Sequence, residues 1–431
     1  MERFVGIIGI VAIFLICYAL SNNKKAINYK TVGIGFGLQI LFALFIFKCS
    51  FGQKMFMLIS DFICKILDFA YEGGTFVFGP LLNNTRLAEL FGSDCSIFAL
   101  QLICSNIFMM VLVNILYYYG IMQRVVAVLG KAMNKIMHVS GAEALSNVAS
   151  AIVGQIVAQI MIKPYLEKLT RSELLASMAG SMACISGAIM PIYMSMLTGA
   201  VPKDFAEPAI YILASSVMAV PGAMILAKIV YPETGEPETR DNVRISKRRT
   251  FANVFDSISS GASEGMKVAI NVTAMILALV ALVAFIDWTL GLAGNLLYTY
   301  IPGCSHFAFL PDLSLKMILG KIFSIFALIL GVPLQDVSAV GSLFGTKIVL
   351  NEFVAYRSLA EIATTLSPKS FMIATFALCS FGNLGSIAVQ IGGIGELAPN
   401  QRKNLARLGV RALICGTLSC YLSAAIVGVL L

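Results

Sequence analysis

"GTKIVLNEFVAY", Gly345 to Tyr356, sets Lys347, Asn351 and Glu352 among apolar runs. An acidic side chain at the centre of a membrane helix costs about 2.5 to 3.5 kcal/mol on insertion scales, so an ionisable group at that depth is read first as functional. Asn is a favoured N-cap, and Glu352 directly after Asn351 would open a helix whose positive dipole end stabilises a carboxylate. The stretch therefore reads as the tip of a hairpin that presents an ionised acceptor. A carboxylate accepts two hydroxyl hydrogens at once, which suits a polyol. The competing reading is a structural salt bridge from Glu352 to Lys347 or to another helix.

The surrounding chain supports membrane depth. Its 431 residues are 58% hydrophobic and 13% charged, too apolar for soluble domains with polar surfaces. Apolar segments at 3–20, 31–47, 96–119, 172–198, 206–229, 267–290, 371–393 and 408–430 make about eight crossings. "FGQKMFMLISDFICKILDFAYEGG", 51–74, alternates Lys54, Asp61, Lys65, Asp68 and Glu72 with Met57, Leu58, Phe62, Ile63, Ile66 and Phe69 at helical spacing, the pattern of an interfacial helix that packs on the membrane or on its neighbours.

The net charge of +8 sits in short connections, the usual topogenic signal, and nucleic acid is excluded as a partner. "NNKKAINYK", "MQRVVAVLGKAMNK", "RDNVRISKRRT" and "NQRKNLARLGVR" are basic, whereas connections such as "TGAVPKDFAEP" are not; these place both termini on the outer side of the plasma membrane. Ten cysteines form no CxxC pair, and His138 and His306 lack ligand-spaced neighbours, so neither a disulfide framework nor a metal centre is expected. No nucleophile and base pair, phosphate loop or dinucleotide fingerprint is present. The reading is not an enzyme, without a cofactor.

Two segments are too polar and interrupted for simple spans: 141–169, and about 314–359 with its two half-helices in 333–359 around a Gly-containing centre. Each precedes a span broken by Gly and small polar residues, 172–198 and 371–393. A hairpin plus a broken helix, repeated in opposite orientation, points to a secondary transporter with its site at the midplane. The expected fold is all-α, about eight transmembrane helices plus two re-entrant hairpins in inverted repeats. The expected division is N-terminal scaffold helices over 1–137, a first transport half over 138–230, a cytoplasmic loop over 231–266, a scaffold span at 267–290 and a second transport half over 291–431. In the second broken span Asn383, Ser386 and Gln390 fall at i, i+3 and i+7 on one helical face beside Gly382 and Gly385; in the first unit Gln155 and the face Ser177, Ser181, Cys184 are weaker signals.

"GTKIVLNEFVAY" resembles the signature of the concentrative nucleoside transporters, and "NNKKAINYKTVG", "NILYYYGIMQ", "FGNLGSIAVQIGGIG" and "RLGVRALICGTLS" extend the resemblance over nearly the whole chain. It implies cation-coupled uptake of a nucleoside by alternating access, in a homotrimer embedded in the lipid bilayer, with Glu352, Asn383 and Ser386 holding the ribose and Phe381 lining the same site. It extends substrate contact to Gln155, Ile156, Val157 and Ile189. The first hairpin departs from the pattern: relatives carry a hydroxyl and a carboxylate after the glutamine, and "GQIVAQ" has Ile156 and Val157 there. The coupling-cation positions correspond to Ser150, Val153, Cys184 and Ile185, and a thiol suits a hard cation poorly, so the coupling ion is H+ or Na+ with the lean toward H+. A nucleobase, modified nucleoside or nucleotide carrier is the alternative within the family, and a passive channel or gating protein the alternative outside it.

Overall fold

A computed structural model of the chain describes residues 2–83, 86–87, 97–187, 189–198, 208–240, 251–300, 310 and 313–430. The basic stretch at 240–250 beyond Arg240, most of the 198–208 connection, Cys95, Cys304 and His306 lie outside them. The chain is helical. Helices α1 (Glu2–Ala19), α2 (Tyr29–Phe47), α3 (Ser50–Phe78), α4 (Phe98–Tyr118) and α5 (Ile121–Met137) precede the first hairpin, α6 (Gly141–Val153) and α7 (Gln155–Met161). The first broken helix, α8 (Arg171–Ala183) and α9 (Met190–Thr198), is followed by α10 (Pro208–Val230) and α11 (Val254–Tyr300). The second half runs α12 (Leu315–Ile329), hairpin α13 (Val337–Val349) and α14 (Glu352–Ile362), broken helix α15 (Pro368–Leu378) and α16 (Leu384–Leu397), and α17 (Arg402–Leu430).

Among the described residues five helices are long and apolar enough to cross a membrane: α2, α4, α10, α11 and the α17 segment. The two broken helices and the shorter α1 account for the remaining expected crossings, since each broken helix spans only as a pair of halves.

Four expectations are corrected. The basic stretch after α4 is not a loop but α5, because Met122, Val126, Gly130, Met133 and Met137 recur every three or four residues and are buried, which turns Arg124, Lys131 and Lys135 outward. The expected loop over 231–266 is helical from Val254, and the span at 267–290 is the middle of a 47-residue helix. At 1.5 Å per residue α11 is about 70 Å long, and its added length packs on α4. Ser257, Gly261, Gly265 and Ala269 form a stripe of small residues, and a Cβ at Gly261 or Gly265 would lie 2.7 or 2.6 Å from the Cα of Val111 or Ile107. The second hairpin begins at Val337, with α12 a separate helix, and its joint is Leu350–Asn351, whereas Gly345 lies inside α13 and lets Leu319 of α12 approach. In α3 the face against the protein is Phe56, Ser60, Leu67 and Ala70, while Met57, Leu58, Phe62 and Phe69 stay exposed, as on a helix that turns its apolar face to the membrane boundary.

Both hairpins are anchored at their bases. Ser140 and Glu143 close a capping box on α6, and Thr170 and Glu173 close one on α8. Lys228, in the last turn of α10, joins these ends: its Nζ is 2.8 Å from Glu143 Oε2, 3.3 Å from Glu233 Oε2 and 3.0 Å from Ser172 Oγ. In the second half Asp336 Oδ2 accepts from Ser367 N (3.1 Å), Ser367 Oγ (2.8 Å) and Ser370 Oγ (2.6 Å), tying the start of α13 to the start of α15. Around these anchors α1 and α2 pack on α10 and α17, and α4 pairs with α11.

Lys228→Met leaves Glu143, 1% exposed, as a buried charge without its cation. The expected loss is about 3 to 5 kcal/mol, read as a lowered unfolding midpoint in detergent. Adding Glu143→Gln, which keeps the capping-box geometry, should recover most of it; a double variant no better than the single one would reject the ion-pair account.

Candidate functional site

The second hairpin builds one polar cluster at its tip. Asn351 is extended (φ −168°, ψ 173°) and caps α14 by accepting from Val354 N at 3.0 Å. Glu352 is then the first helical residue, buried at 3% exposure, at the positive end of α14. Its Oε1 accepts from Tyr193 Oη and its Oε2 from Asn383 Nδ2, both at 3.1 Å. Tyr193 is held by stacking on Tyr356 (4.7 Å, 26°) and against Phe353 (4.7 Å). Spacing in the sequence does not single out Tyr193; the signal that would have found it is that a tyrosine hydroxyl in an apolar half-helix must reach a buried acceptor.

The second broken helix supplies the facing side. After α15 the chain crosses from Cys379 to Asn383 without helical structure, and Asn383 caps α16 by accepting from Ser386 N at 2.9 Å. The Ser386 hydroxyl is within hydrogen-bond distance of Asn383 Oδ1 (3.1 Å) and of the Phe381 carbonyl. Asn383 is thus the cap rather than a residue on the helical face, and Ser386 and Gln390 continue from it along α16. Glu352, Phe381, Asn383 and Ser386 come together, with the N-termini of α14 and α16 converging on them.

The first hairpin meets this cluster one turn further along α16. Its joint is Gly154, whose φ of +94° disfavours an L side chain and where a Cβ would stand 3.0 Å from Ser186 Cβ. Gln155 Oε1 accepts from Gln390 Nε2 at 3.0 Å, and Ile156 lies against Gly393. Val157 and Ile189 are half-buried against the core. Ser150 Oγ donates to Ser146 O (2.7 Å) or pairs with Ser181 Oγ (2.9 Å); Gln159 Nε2 donates to Ser181 Oγ (2.9 Å), and Ser177 Oγ to Gln159 Oε1 (3.0 Å). Ser177 and Ser181 therefore share one buried network with Ser150, whereas Cys184, the C-cap of α8, turns its thiol to the Ser216 carbonyl at 3.9 Å. Val153 and Ile185 are buried beside them.

Lys347 makes no direct ion pair with Glu352; its Nζ donates to the Ala377 carbonyl at 3.1 Å. A cavity of about 250 Å³ lies on the opposite side of the second hairpin, between it and α11 and α12, lined by Asp287, Ser342, Thr346, Ser358 and Glu361 among others. Glu352 does not line this cavity and is itself buried.

Residues 211–428 match the family model described as Na+ dependent nucleoside transporter C-terminus, 8–81 the N-terminus model of the same description, and 99–199 a model described as nucleoside recognition. The chain is 37% identical to the uncharacterized transporter YutK of Bacillus subtilis over 98% of both chains. It is 35% identical to the nucleoside permease NupC of Helicobacter pylori, over 98% of this chain and 96% of that one. Among solved structures it matches CNTnw in an inward-facing, substrate-bound state, with TM-score 0.88 and 36% identity over 100% of this chain and 98% of that one. An engineered CNTnw in an outward-facing state matches with TM-score 0.89 and 35% identity over the same shares. With a fold, a signature and full-length relatives in agreement, the chain belongs to the concentrative nucleoside transporter family, multi-pass membrane carriers rather than enzymes.

Proposed function

We propose that this transporter is a proton-driven nucleoside carrier of the plasma membrane in which Glu352, Asn383 and Ser386 hold the ribose. The observation that carries the reading is the buried Glu352 carboxylate at the start of α14. A carboxylate has about four acceptor positions; Tyr193 and Asn383 fill two, and the rest remain for a pair of ribose hydroxyls. Phe381 forms an aromatic wall. Gln390 Oε1 is buried without a hydrogen-bond partner among the described residues, so together with Gln155 it offers an acceptor to the N–H edge of a base, while Ile156, Val157 and Ile189 present apolar surface.

Proton coupling is favoured by the first hairpin. The side chains at the coupling-cation positions supply one hydroxyl, Ser150, already engaged with Ser146 and Ser181, and one thiol, Cys184, a soft donor for a hard cation. In the transport cycle, the hairpins and broken helices, packed with α1, α2, α10 and α17, shift past a framework of α4 and α11, a division supported by how these helices pack. Counting α1 and α2 with the moving body follows from that packing. The exposed apolar face of α11, with Leu277, Phe285 and Trp288, suits lipid and the neighbouring copies of a homotrimer. Basic residues at 24–30, 124–135 and 402–411 support a reading with those segments in the cytoplasm and both termini outside.

In proteoliposomes, Glu352→Gln should lower uptake of labelled uridine or adenosine about 100-fold or more, since it weakens charge-assisted bonds to both hydroxyls. Near-normal uptake by that variant would remove Glu352 from the ribose site. An imposed proton gradient should drive accumulation without sodium; accumulation driven by a sodium gradient alone, at equal pH on both sides, refutes proton coupling. The altered "GQIVAQ" favours a second reading, a changed base preference. Competition of nucleosides, free bases and nucleotides against labelled uridine separates the two, and inhibition by free bases at nucleoside-like concentrations would displace the ribose-centred reading.

A further inference from the structure

The second repeat buries a cation for which the ribose-holding cluster has no direct use. Lys347 lies in the last turn of α13, is 0% exposed, and reaches the Ala377 carbonyl in the last turn of α15. Its ammonium therefore stands at the carbonyl end of α15, which carries roughly half a negative elementary charge. The neighbouring carbonyls of α15 have neutral donors instead: Tyr356 Oη to Thr375 O at 2.8 Å, and Ser215 Oγ to Phe376 O at 3.1 Å. The ring of Tyr421 faces the ammonium at 5.9 Å from its centroid. The other charged or titratable groups within its field are Glu352 on α14 and the thiols of Cys379, the C-cap of α15, and Cys420 on α17.

An ammonium without water is costly to bury unless opposite charge surrounds it. The carbonyl end of α15, an aromatic face and one carboxylate supply that here. The matching joint of the first repeat is built without a charge. Its first arm, α6, is 13 residues long like α13, and its broken helix also closes on a cysteine, Cys184 against Cys379, yet the joint is filled by Ser150, Ser181 and Gln159. At the end of α8 the donor to a freed carbonyl is neutral, Cys420 Sγ to Ala183 O, whereas the end of α15 also takes a cation.

We propose that the Lys347 ammonium is a built-in cation of the second repeat, a positioning residue that holds the end of α15 and balances the Glu352 carboxylate. The cluster thereby meets an uncharged nucleoside with no net charge of its own. The transport consequence rests on Glu352 being the ribose acceptor; the cation site itself does not.

Lys347→Ala vacates a space bounded by the Ala377 carbonyl and the Tyr421 ring, sized for a small alkylammonium. The purified full chain in detergent is titrated with methylammonium chloride against matched choline chloride. The unfolding temperature of Lys347→Ala should rise saturably with methylammonium, while that of the wild type does not respond to it. In proteoliposomes the same additive should raise uridine uptake by the variant about fivefold or more. A flat thermal titration overturns the built-in cation. Where Lys347→Ala does not fold, Lys347→Met retains the stem without the charge. Its Kd for uridine, measured in detergent, should rise about tenfold or more with Glu352 present and less than about twofold when Lys347→Met is added to Glu352→Gln. Equal weakening in both backgrounds, or none in either, overturns the positioning role. Normal uptake by Glu352→Gln with methylammonium stabilisation of Lys347→Ala preserved would reject the ribose reading and leave the cation site standing.

Discussion

A helix that stops inside a membrane leaves its first amides and last carbonyls without intrahelical partners, and hydrocarbon offers no replacements. This chain meets that demand at two hairpin tips and two broken helices, and its architecture follows from how it does so. In the second repeat Asn351 and Asn383 cap the half-helices that begin at depth, whereas α7 of the first starts at Gly154 without a side-chain cap. The half-helices that end there are capped from neighbours: Cys420 Sγ reaches Ala183 O at 3.1 Å, while Tyr356, Ser215 and Lys347 each take a carbonyl of α15. Two of these donors, Ser215 and Cys420, sit on α10 and α17, which are enclosed, 78% and 83% buried along their apolar windows, against 6% for α11. The enclosed helices belong to the body that carries the breaks, and α11 stands outside it.

The same caps build the candidate site. An asparagine side chain has an acceptor at one end and donors at the other. Asn383 spends its oxygen on Ser386 N and so turns its amide toward Glu352. The residue that terminates the break is therefore also the one that orients the carboxylate, and site geometry cannot be changed without disturbing helix geometry. Exchanging Tyr193 or Asn383 for a ligand hydroxyl replaces one hydrogen bond by another, a change of small net free energy compared with leaving Glu352 unpaired. A closed cluster of this kind opens to a polyol more readily than to an apolar molecule.

Local chemistry made much of this legible in the sequence. Asn351–Glu352 reads as a cap plus first-turn carboxylate, and that is how the two residues stand. The eight apolar segments and the two interrupted ones carried the membrane architecture. What was not legible depended on partners distant in the chain. Tyr193 lies 159 residues from Glu352, and no period or spacing connects them. Lys347 looked like a partner for Glu352 because they are close in sequence, but the end of α15 competes for the ammonium. The extension of α11 was hidden for a different reason: "SISSGASEG" is poor in helix formers, and its glycines become favourable only when α4 lies against them. The capping boxes at Ser140 and Thr170 do carry their four-residue signature, though not their shared tie to Lys228.

The two repeats share a skeleton and differ in charge, and on the proposed reading that difference divides the labour of recognition. The second hairpin holds a carboxylate and an ammonium, whereas the first offers Gln155, Ile156 and Val157. A buried site built to hydrogen-bond a hydroxyl rejects an analogue without it by about 10⁴-fold or more, because its own polar groups are left unpaired. An apolar wall discriminates by about 10- to 200-fold per methylene and scarcely penalises an added polar group that still reaches water or an amide. The hydrogen bond from Gln390 to Gln155 is where the base side of the site can still be read, and Gln390 Oε1 is the acceptor left for it. Strict demand for the sugar hydroxyls with tolerance at the base is the selectivity that such an unequal pair of hairpins produces.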